Sequence, residues 1–320
     1  MGKLLIGATS RQIKHWLEEY GETGESDMRL ITYRTSGVAG EGYAEGTGIG
    51  VMVDDKKFVD LAKQAPTFPK TIRALLESGT DWQSRVEKAV NGKSADNSID
   101  NVALDPVIPN PQATWCLALN FQLHKDETGL ERSKYPELFQ RMPSTIVGHN
   151  QPLVRPRKEL CERYDFEGEL AFIVGKRGRY VSEKDALSYI AGYAPYNEGS
   201  VREFQAHNRQ FGLGKNFEKS GSFGPWMMTA DEFGDPYKQY VKTRVNGELK
   251  QDTQLSEMLN SLENILSYLS TGYEIRPGDV CAIGTPGSIP GTNKRLNVGD
   301  VCEVEITGLG TLSNKVIAAD

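Results

Sequence analysis

The chain of 320 residues is poor in cysteine, with four in total and no Cys-x-x-Cys pair. The four stand far apart, at Cys116, Cys161, Cys281 and Cys302. This spacing fits neither a zinc knuckle nor the disulfide framework of a small secreted domain. We therefore expect reduced thiols in the interior of a cytoplasmic protein.

The sequence also lacks a long apolar run and a basic tract. Mean hydropathy is -0.47, and no stretch approaches the roughly 20 apolar residues that a membrane-spanning helix needs. The formal charge is -6, without a cluster of Lys and Arg. These absences argue against a membrane or a nucleic acid as the partner of this chain.

Hydrophobic periodicity and proline positions divide the chain into three parts. Residues 1–27 form an extension with an amphipathic helix, whose apolar face consists of Ile13, Trp16, Leu17 and Tyr20. Residues 28–110 form a small α+β domain. The connector DPVIPNPQA disfavours helix because of its three prolines, and it precedes a larger domain over residues 111–320.

Strand signals outnumber helix signals along the chain. Residues 28–62 predict short strands with a hairpin turn at Asp54-Asp55, followed by helices at 72–79 and 81–92. In the larger domain, TWCLALN and the tail VCEVEITGLGTLSNKV predict strands, whereas SEKDALSYIAGY and NSLENILSYLS predict helices. No βαβ rhythm with a phosphate-binding glycine loop is present, so the predicted class is α+β, mainly β.

The stretch YDFEGELAFIVG, residues 164–175, places two glutamates in an apolar run. Residues two apart in a strand point to the same face, so Glu167 and Glu169 lie side by side. An exposed edge strand is the simplest interpretation of such a pair. However, the same face continues with Ala171 and Ile173, which indicates burial, and buried like charges need a cation or a proton between them.

A third carboxylate follows in AGYAPYNEGSVREFQ, where Glu198 stands among small and polar residues. Three carboxylates without a neighbouring His or Cys suit a hard cation, Mg²⁺, Mn²⁺ or Ca²⁺, rather than zinc. Three anionic ligands leave coordination positions for water and a chelating substrate. The sequence therefore predicts a divalent-cation site.

Upstream, NFQLHKDE contains His124 and Glu127, which are three apart and adjacent on one helical turn. A carboxylate bonded to one imidazole nitrogen fixes the tautomer and favours the other nitrogen as a base. The spacing alone is a weak signal, because such pairs are common on exposed helices.

Several stretches together resemble the fumarylacetoacetate hydrolase family. In chain order they are DFEGELAFIVGKRGRYVSEKDALSYIAGYAPYNEGSVREFQ, GLGKNFEKSGSFGPWMMTADE, RVNGELKQ, ILSYLSTGYEIRPGDVCAIGTP and LNVGDVCEVEITGLGTLSNKV. They cover residues 113–320, with a looser similarity over 28–112. The resemblance implies a mixed β-roll or sandwich catalytic domain, a smaller N-terminal α+β domain and a homodimer.

The resemblance also implies roles for individual residues. Glu167 and Glu169 match the family's metal-binding pair, and Glu198 stands where the family most often has Asp as a third ligand. His124 and Glu127 match the dyad that activates water. The longer Glu198 side chain is a departure from the family pattern.

Further matches concern the substrate. Arg202, Gln205 and Lys215 match polar residues that line the site, with Lys215 near the oxygen that gains negative charge. Thr285 matches a residue that holds the substrate carboxylate. The loop GSIPG, residues 287–291, departs from the family's usual Gly-Val-Gly turn. The resemblance therefore does not imply which substrate group this loop contacts.

The implied activity is Mg²⁺- or Mn²⁺-dependent hydrolysis of a carbon–carbon bond in a 2,4-dioxo acid, such as an acylpyruvate or a fumarylacetoacetate-like compound. The partner is then a small anionic oxo acid. Decarboxylases, hydratases and isomerases of related 2-oxo acids on the same scaffold are the alternative. A non-catalytic β-protein with a structural calcium is a remote one.

Overall fold

The structure is a computed structural model that describes residues 27–35, 46–129, 131, 133–208 and 210–320. The helix predicted within residues 1–21 lies outside the described residues. The helices are α1 (Leu61–Gln64), α2 (Ile72–Glu77), α3 (Trp82–Val90), α4 (Gln122–Thr128), α5 (Glu183–Ala186), α6 (Arg202–Gln205), α7 (Ala230–Phe233) and α8 (Leu262–Gly272). Short 3-10 turns span Ile99–Asn101, Pro143–Thr145, Leu187–Tyr189, Gly212–Lys215, Pro236–Lys238 and Leu255–Glu257.

Strands supply most of the regular structure, which confirms the predicted α+β, mainly β class. The first ten are β1 (Arg29–Arg34), β2 (Thr47–Met52), β3 (Lys57–Asp60), β4 (Asn97–Ser98), β5 (Ala103–Leu104), β6 (Thr114–Ala118), β7 (Glu137–Gln140), β8 (Ile146–Val147), β9 (Leu153–Arg155) and β10 (Tyr164–Asp165). The others are β11 (Gly168–Val174), β12 (Ile190–Asn197), β13 (Ser200–Val201), β14 (Gly221–Phe223), β15 (Met227–Thr229), β16 (Tyr240–Val245), β17 (Glu248–Gln254), β18 (Val280–Ala282), β19 (Val301–Ile306) and β20 (Gly310–Ala318).

Most strands join one large mixed sheet in the order β4-β3-β2-β1-β15-β12-β11-β18-β6-β7, with β5, β8 and β14 paired alongside. A second sheet has the order β17-β16-β19-β20-β9, and β10 pairs with β13. Strand β1 pairs with β15, so the large sheet continues across the predicted boundary near residue 110. The division into domains stays a prediction.

Strand β11 is buried along its whole length and lies at the centre of the fold. Leu170 and Phe172 pack in one apolar cluster with helix α8. Ala171 and Ile173, on the opposite face, pack in another cluster with helices α2 and α3. Burial on both faces explains why the sequence of this strand is almost continuously apolar.

The structure corrects one predicted helix. Residues 182–193 were expected to form a single helix ending at Gly192, but α5 ends at Ala186 and β12 begins at Ile190. Gly192 lies inside this strand, where an added Cβ would stand 2.2 Å from the Met228 carbonyl oxygen. Glycine is therefore needed for close strand pairing here and does not terminate a helix.

The other predicted elements agree with the structure. The hairpin around Asp54-Asp55 joins β2 and β3, and α2, α3 and α8 lie where helices were expected. TWCLALN contains β6, and the tail forms β19 and β20. Within the described part of the chain, no helix combines the length and the apolarity needed to cross a bilayer.

One histidine couples the stability of the fold to pH. His149 Nδ1 accepts a hydrogen bond from the Ser313 N–H at 3.1 Å. Burial lowers the pKa of His149 to about 4 from an ordinary value of 6.5. The unfolded chain therefore binds a proton at this residue at a higher pH than the folded chain does. Stability contributed by neutral His149 is complete above pH 6.5 and is lost as the pH falls toward 4.

We predict that His149→Asn removes this pH dependence, because the Asn oxygen can accept the same hydrogen bond and does not titrate. The difference in free energy of unfolding between wild type and variant should change by about 3 kcal/mol between pH 7 and 4. Urea unfolding at both values measures it, with the exposed His207→Asn as control. A pH-independent difference would contradict the assignment.

Candidate active site

The register between β11 and β12 brings the three predicted ligands together. Gly168 pairs with Asn197 and Glu169 with Tyr196. One step further, the Glu198 N–H donates to the Glu167 carbonyl oxygen at 2.8 Å. Antiparallel pairing therefore places Glu198 beside Glu167, although they are far apart in sequence.

The carboxylates form a compact and buried donor set. One oxygen from each of Glu167, Glu169 and Glu198 lies within 4.8 Å of the others, and all three residues are buried. Glu169 Oε1 and Glu198 Oε1 are buried atoms without a hydrogen-bond partner in the described part of the chain. Such atoms call for a ligand, and an all-oxygen set suits a hard divalent cation. The residues therefore fit the predicted cation.

Two basic side chains offset part of this negative charge. Lys215 Nζ lies 2.6 Å from Glu167 Oε2 and 2.8 Å from Glu198 Oε2. Arg202 contacts Glu167 Oε1 at 2.6 Å and Asp165 Oδ2 at 2.8 Å. Lys215 thus joins two of the three predicted ligands, and Arg202 ties the cluster to β10.

The electrostatic environment separates the two glutamates of β11. Burial, followed by the charges of Glu198 and Glu167, raises the pKa of Glu169 well above its usual value. Burial acts in the same direction on Glu167, but Lys215 and Arg202 hold the pKa of this carboxyl well below its usual value. Among the described residues Glu169 has no ion-pair partner, so it is the one of the three that most needs a cation to remain ionised.

The predicted dyad is present on helix α4. His124 Nδ1 lies 3.3 Å from Glu127 Oε2. Lys294 Nζ contacts the same Glu127 oxygen. Burial alone would raise the pKa of Glu127, but the hydrogen bonds from His124 and Lys294 lower it. Glu127 is therefore an ionised acceptor.

A glutamine that the sequence reasoning gave no role connects the cation ligands to Thr285. Gln251 Oε1 accepts from the Gly168 N–H at 3.0 Å and from the Thr243 hydroxyl at 2.7 Å. Its Nε2 donates to Thr285 Oγ1 at 2.9 Å and to the Pro286 carbonyl at 2.7 Å. These contacts fix the backbone between Glu167 and Glu169.

Gly168 is required by this arrangement. A Cβ at this position would lie 2.0 Å from Thr243 Oγ1 and 3.0 Å from Gln251 Oε1. The glycine therefore lets the second sheet approach the strand that carries the ligands. Thr285 Oγ1 also donates to the Gly168 carbonyl at 3.0 Å, which holds Thr285 at the same place.

The predicted residues surround one cleft of about 1190 Å³ and a small recess beside it. His124, Glu127, Arg202 and Gln205 line the cleft. The recess is lined by a further set that includes Glu167, Glu198, Lys215 and Thr285, together with His124 and Gln205. Glu169 lines neither and lies behind the recess. The structure thus brings all nine candidate residues into one region.

Four further residues belong to this region but were not predicted. Asp165 pairs with Arg202, and the Ser200 hydroxyl donates to Glu167 Oε1 at 3.0 Å. Gln251 and Lys294 complete the group. Gln251 stands in RVNGELKQ, one of the stretches that carry the family resemblance, and this was the available signal. Nothing local in the sequence marks Lys294, because its contact crosses 167 positions.

The fold and this region define a class of protein, a mixed β scaffold that carries a buried group of carboxylates beside an open cleft. Comparison with known proteins identifies the family. The model for the C-terminal domain of fumarylacetoacetate (FAA) hydrolase matches residues 113–317. The chain therefore belongs to the fumarylacetoacetate hydrolase family, as its sequence motifs suggested.

Two curated relatives align over most of the chain. The mitochondrial oxaloacetate tautomerase fahd2 of Xenopus laevis is 31% identical, and the alignment covers 91% of this chain and 90% of that protein. Oxaloacetate tautomerase YisK of Bacillus subtilis (strain 168) is 30% identical, with 84% and 95% covered.

Solved structures show the same fold. Fumarylacetoacetate hydrolase from Exiguobacterium antarcticum superposes with a TM-score of 0.70 at 31% identity, covering 91% of this chain and all of that one. Maleylpyruvate hydrolase from Sphingobium sp. SYK-6, solved with manganese(II) and pyruvate, gives a TM-score of 0.74 at 22% identity, covering 92% and 100%. The second likeness concerns the fold alone.

We predict that Gln251→Leu destabilises the protein, because it leaves the Gly168 N–H and the Thr243 hydroxyl buried without their acceptor. The expected loss in free energy of unfolding is about 3 kcal/mol, from roughly 1–3 kcal/mol per unsatisfied group. Urea unfolding measures it, and Gln254→Leu, on the same strand and only half-buried, is the control. A loss no larger than the control's would show that Gln251 does not hold this region.

Proposed function

We propose that this chain is a divalent-cation-dependent enzyme that interconverts the enol and keto forms of a 2-oxo dicarboxylic acid such as oxaloacetate. The buried group formed by Glu167, Glu169 and Glu198 carries the proposal, because it fits a cation next to a cleft with basic side chains. The relatives named oxaloacetate tautomerase support the substrate class.

Tautomerisation moves one proton between the enol oxygen and the far carbon of the enol C=C bond, and it needs no attack by water. A Mg²⁺ or Mn²⁺ ion held by Glu167, Glu169 and Glu198 would supply the positive charge that stabilises the enolate. Arg202 lines the cleft and is held by Asp165, Glu167 and Gln205, and its remaining N–H groups would bind an anion there. Thr285, held by Gln251 at the recess, would bind the substrate carboxylate.

Lys215 would stabilise the developing negative charge, and His124 would transfer the proton. Burial alone would lower the pKa of Lys215, but the carboxylates of Glu167 and Glu198 raise it. The ammonium of Lys215 therefore stays charged. It is therefore a donor to the developing oxyanion and a poor base. His124 turns Nδ1 toward Glu127, which leaves Nε2 as the ring nitrogen that can take up and return the proton.

Hydrolysis of an acylpyruvate is a second candidate, and the dyad favours it. His124, oriented by Glu127 at 3.3 Å, would take a proton from water as the oxygen attacks the distal carbonyl. The carbon–carbon bond then breaks to give a carboxylic acid and the enolate of pyruvate, which is protonated at carbon. Both reactions share the enolate and differ in whether water adds.

The two candidates are separated by their products. Metal-free protein would be supplied with EDTA, Mg²⁺ or Mn²⁺ and mixed with enol-oxaloacetate or with acetylpyruvate. Malate dehydrogenase reports the keto form of oxaloacetate, and lactate dehydrogenase reports pyruvate. We expect metal-dependent ketonisation that EDTA abolishes, with little pyruvate from acetylpyruvate. Rapid pyruvate release would favour hydrolysis, and the absence of both activities would contradict the proposal.

We predict that His124→Ala lowers kcat for ketonisation about 10²- to 10⁴-fold, the usual contribution of a general acid–base group. The matched control is His207→Ala, an exposed histidine that does not line the cleft. Metal binding by the His124 variant should be unchanged, as judged by the Mn²⁺-dependent rise in melting temperature. Full activity in this variant would remove His124 from the mechanism.

The quaternary structure and location expected from the sequence also remain proposals. We propose a homodimer, which sedimentation velocity tests directly, and a cytoplasmic protein that binds neither membrane nor nucleic acid.

A further inference from the structure

Lys294 competes with His124 for one oxygen atom. Its ammonium contacts Glu127 Oε2, the oxygen that also faces His124 Nδ1 at 3.3 Å. The Lys294 side chain is only 15% exposed, whereas that of Glu127 is 35% exposed. Glu127 is the more exposed partner, so water and His124 remain to solvate its carboxylate when an incoming anion replaces it as the partner of Lys294.

The position of Lys294 is fixed by its loop. An added Cβ at Gly287 would lie 2.5 Å from Leu123 Cγ, so the start of the loop packs directly against helix α4. The Ile289 N–H donates to the Lys250 carbonyl at 2.8 Å. After Lys294, the Leu296 N–H donates to the Tyr164 carbonyl at 2.7 Å. These contacts hold Lys294 against the dyad and beside strand β10.

A second cation lines the same cleft. An isolated antiparallel bridge pairs Asp165 with Arg295, so strand β10 and the residue before it, Arg163, run beside the segment that carries Lys294. Arg163 and Lys294 both line the cleft. Arg163 is exposed, and its guanidinium makes no ion pair among the described residues. Two cations that line one cleft, beyond the dyad, suit the binding of a carboxylate.

We propose that Lys294 and Arg163 form an anion subsite that binds the second carboxylate of a dicarboxylic 2-oxo acid. This inference rests on the proposed function and names the residues that select its substrate. On binding, Lys294 turns from Glu127 to the substrate carboxylate, and Glu127 Oε2 is left to His124. A substrate without the second carboxylate provides no anionic partner for Lys294. Lys294 then stays on Glu127 Oε2, the oxygen that also faces His124.

Binding tests the subsite without turnover. Calorimetry on Mn²⁺-loaded protein compares 2-oxoglutarate with 2-oxopentanoate, which has the same carbon chain but lacks the second carboxylate. We expect wild type to prefer 2-oxoglutarate, and Lys294→Met to weaken its binding about 10- to 100-fold, the range for a hydrogen bond to a charged group. Binding of 2-oxopentanoate should change less than about 3-fold, since it makes no charged contact there.

The control is Arg295→Met, which removes the same charge from the neighbouring residue, one that does not line the cleft. It should leave both affinities unchanged. Equal losses for both ligands in the Lys294 variant would mean that Lys294 acts only through the dyad, and no loss for either would remove it from binding. Both results overturn the proposal.

Ketonisation separates this inference from the proposed function. In Lys294→Met we expect KM for enol-oxaloacetate to rise about 10- to 100-fold, with kcat changed far less. If wild type does not ketonise oxaloacetate, the proposed function fails while the calorimetric comparison still decides the subsite. If wild type is active and the variant keeps its KM, the subsite fails and the proposed function stands.

Discussion

The burial of three carboxylates against one another is the constraint on which the rest of this structure depends. Glu167, Glu169 and Glu198 meet where β11 and β12 pair, and like charges that close together in the interior are costly unless cations accompany them. Lys215 and Arg202 supply two positive charges from the chain. The unpartnered oxygens that remain account for the fit to a divalent cation.

Much of the surrounding fold keeps these groups in place. Strand β11 is fixed on both faces, by α8 on one and by α2 and α3 on the other. Gly168 allows Thr243 and Gln251 to reach the ligand strand from the second sheet. A single buried network therefore joins the two sheets at the site, and it includes residues that do not line the cleft.

The sequence allowed the glutamates of β11 to be predicted from simple geometry, because a period of two and apolar neighbours place Glu167 and Glu169 on one buried face. Glu198 was proposed as a third ligand from its small and polar neighbours, but its place beside Glu167 follows from the register between β11 and β12, which no local pattern shows. The helix expected over 182–193 was wrong beyond Ala186. There, tertiary pairing of the small residues around Gly192 overrides the helical pattern.

The contacts that could not be predicted are those that span long stretches of chain. Lys294 reaches Glu127, and Gln251 reaches Gly168, through loop and sheet arrangements that no local pattern encodes. These are also the contacts that orient the dyad and the ligand strand. The sequence therefore allowed the candidate site residues to be predicted more completely than the residues that hold them in place.

The most direct test of the account is a crystal structure of the protein soaked with Mn²⁺, with the ion located by anomalous scattering. We expect one strong peak, from a Mn²⁺ ion coordinated by an oxygen from each of Glu167, Glu169 and Glu198. Lys215 should have moved from its place between Glu167 and Glu198. A structure in which Mn²⁺ binds elsewhere, while Lys215 still joins Glu167 and Glu198, would contradict it.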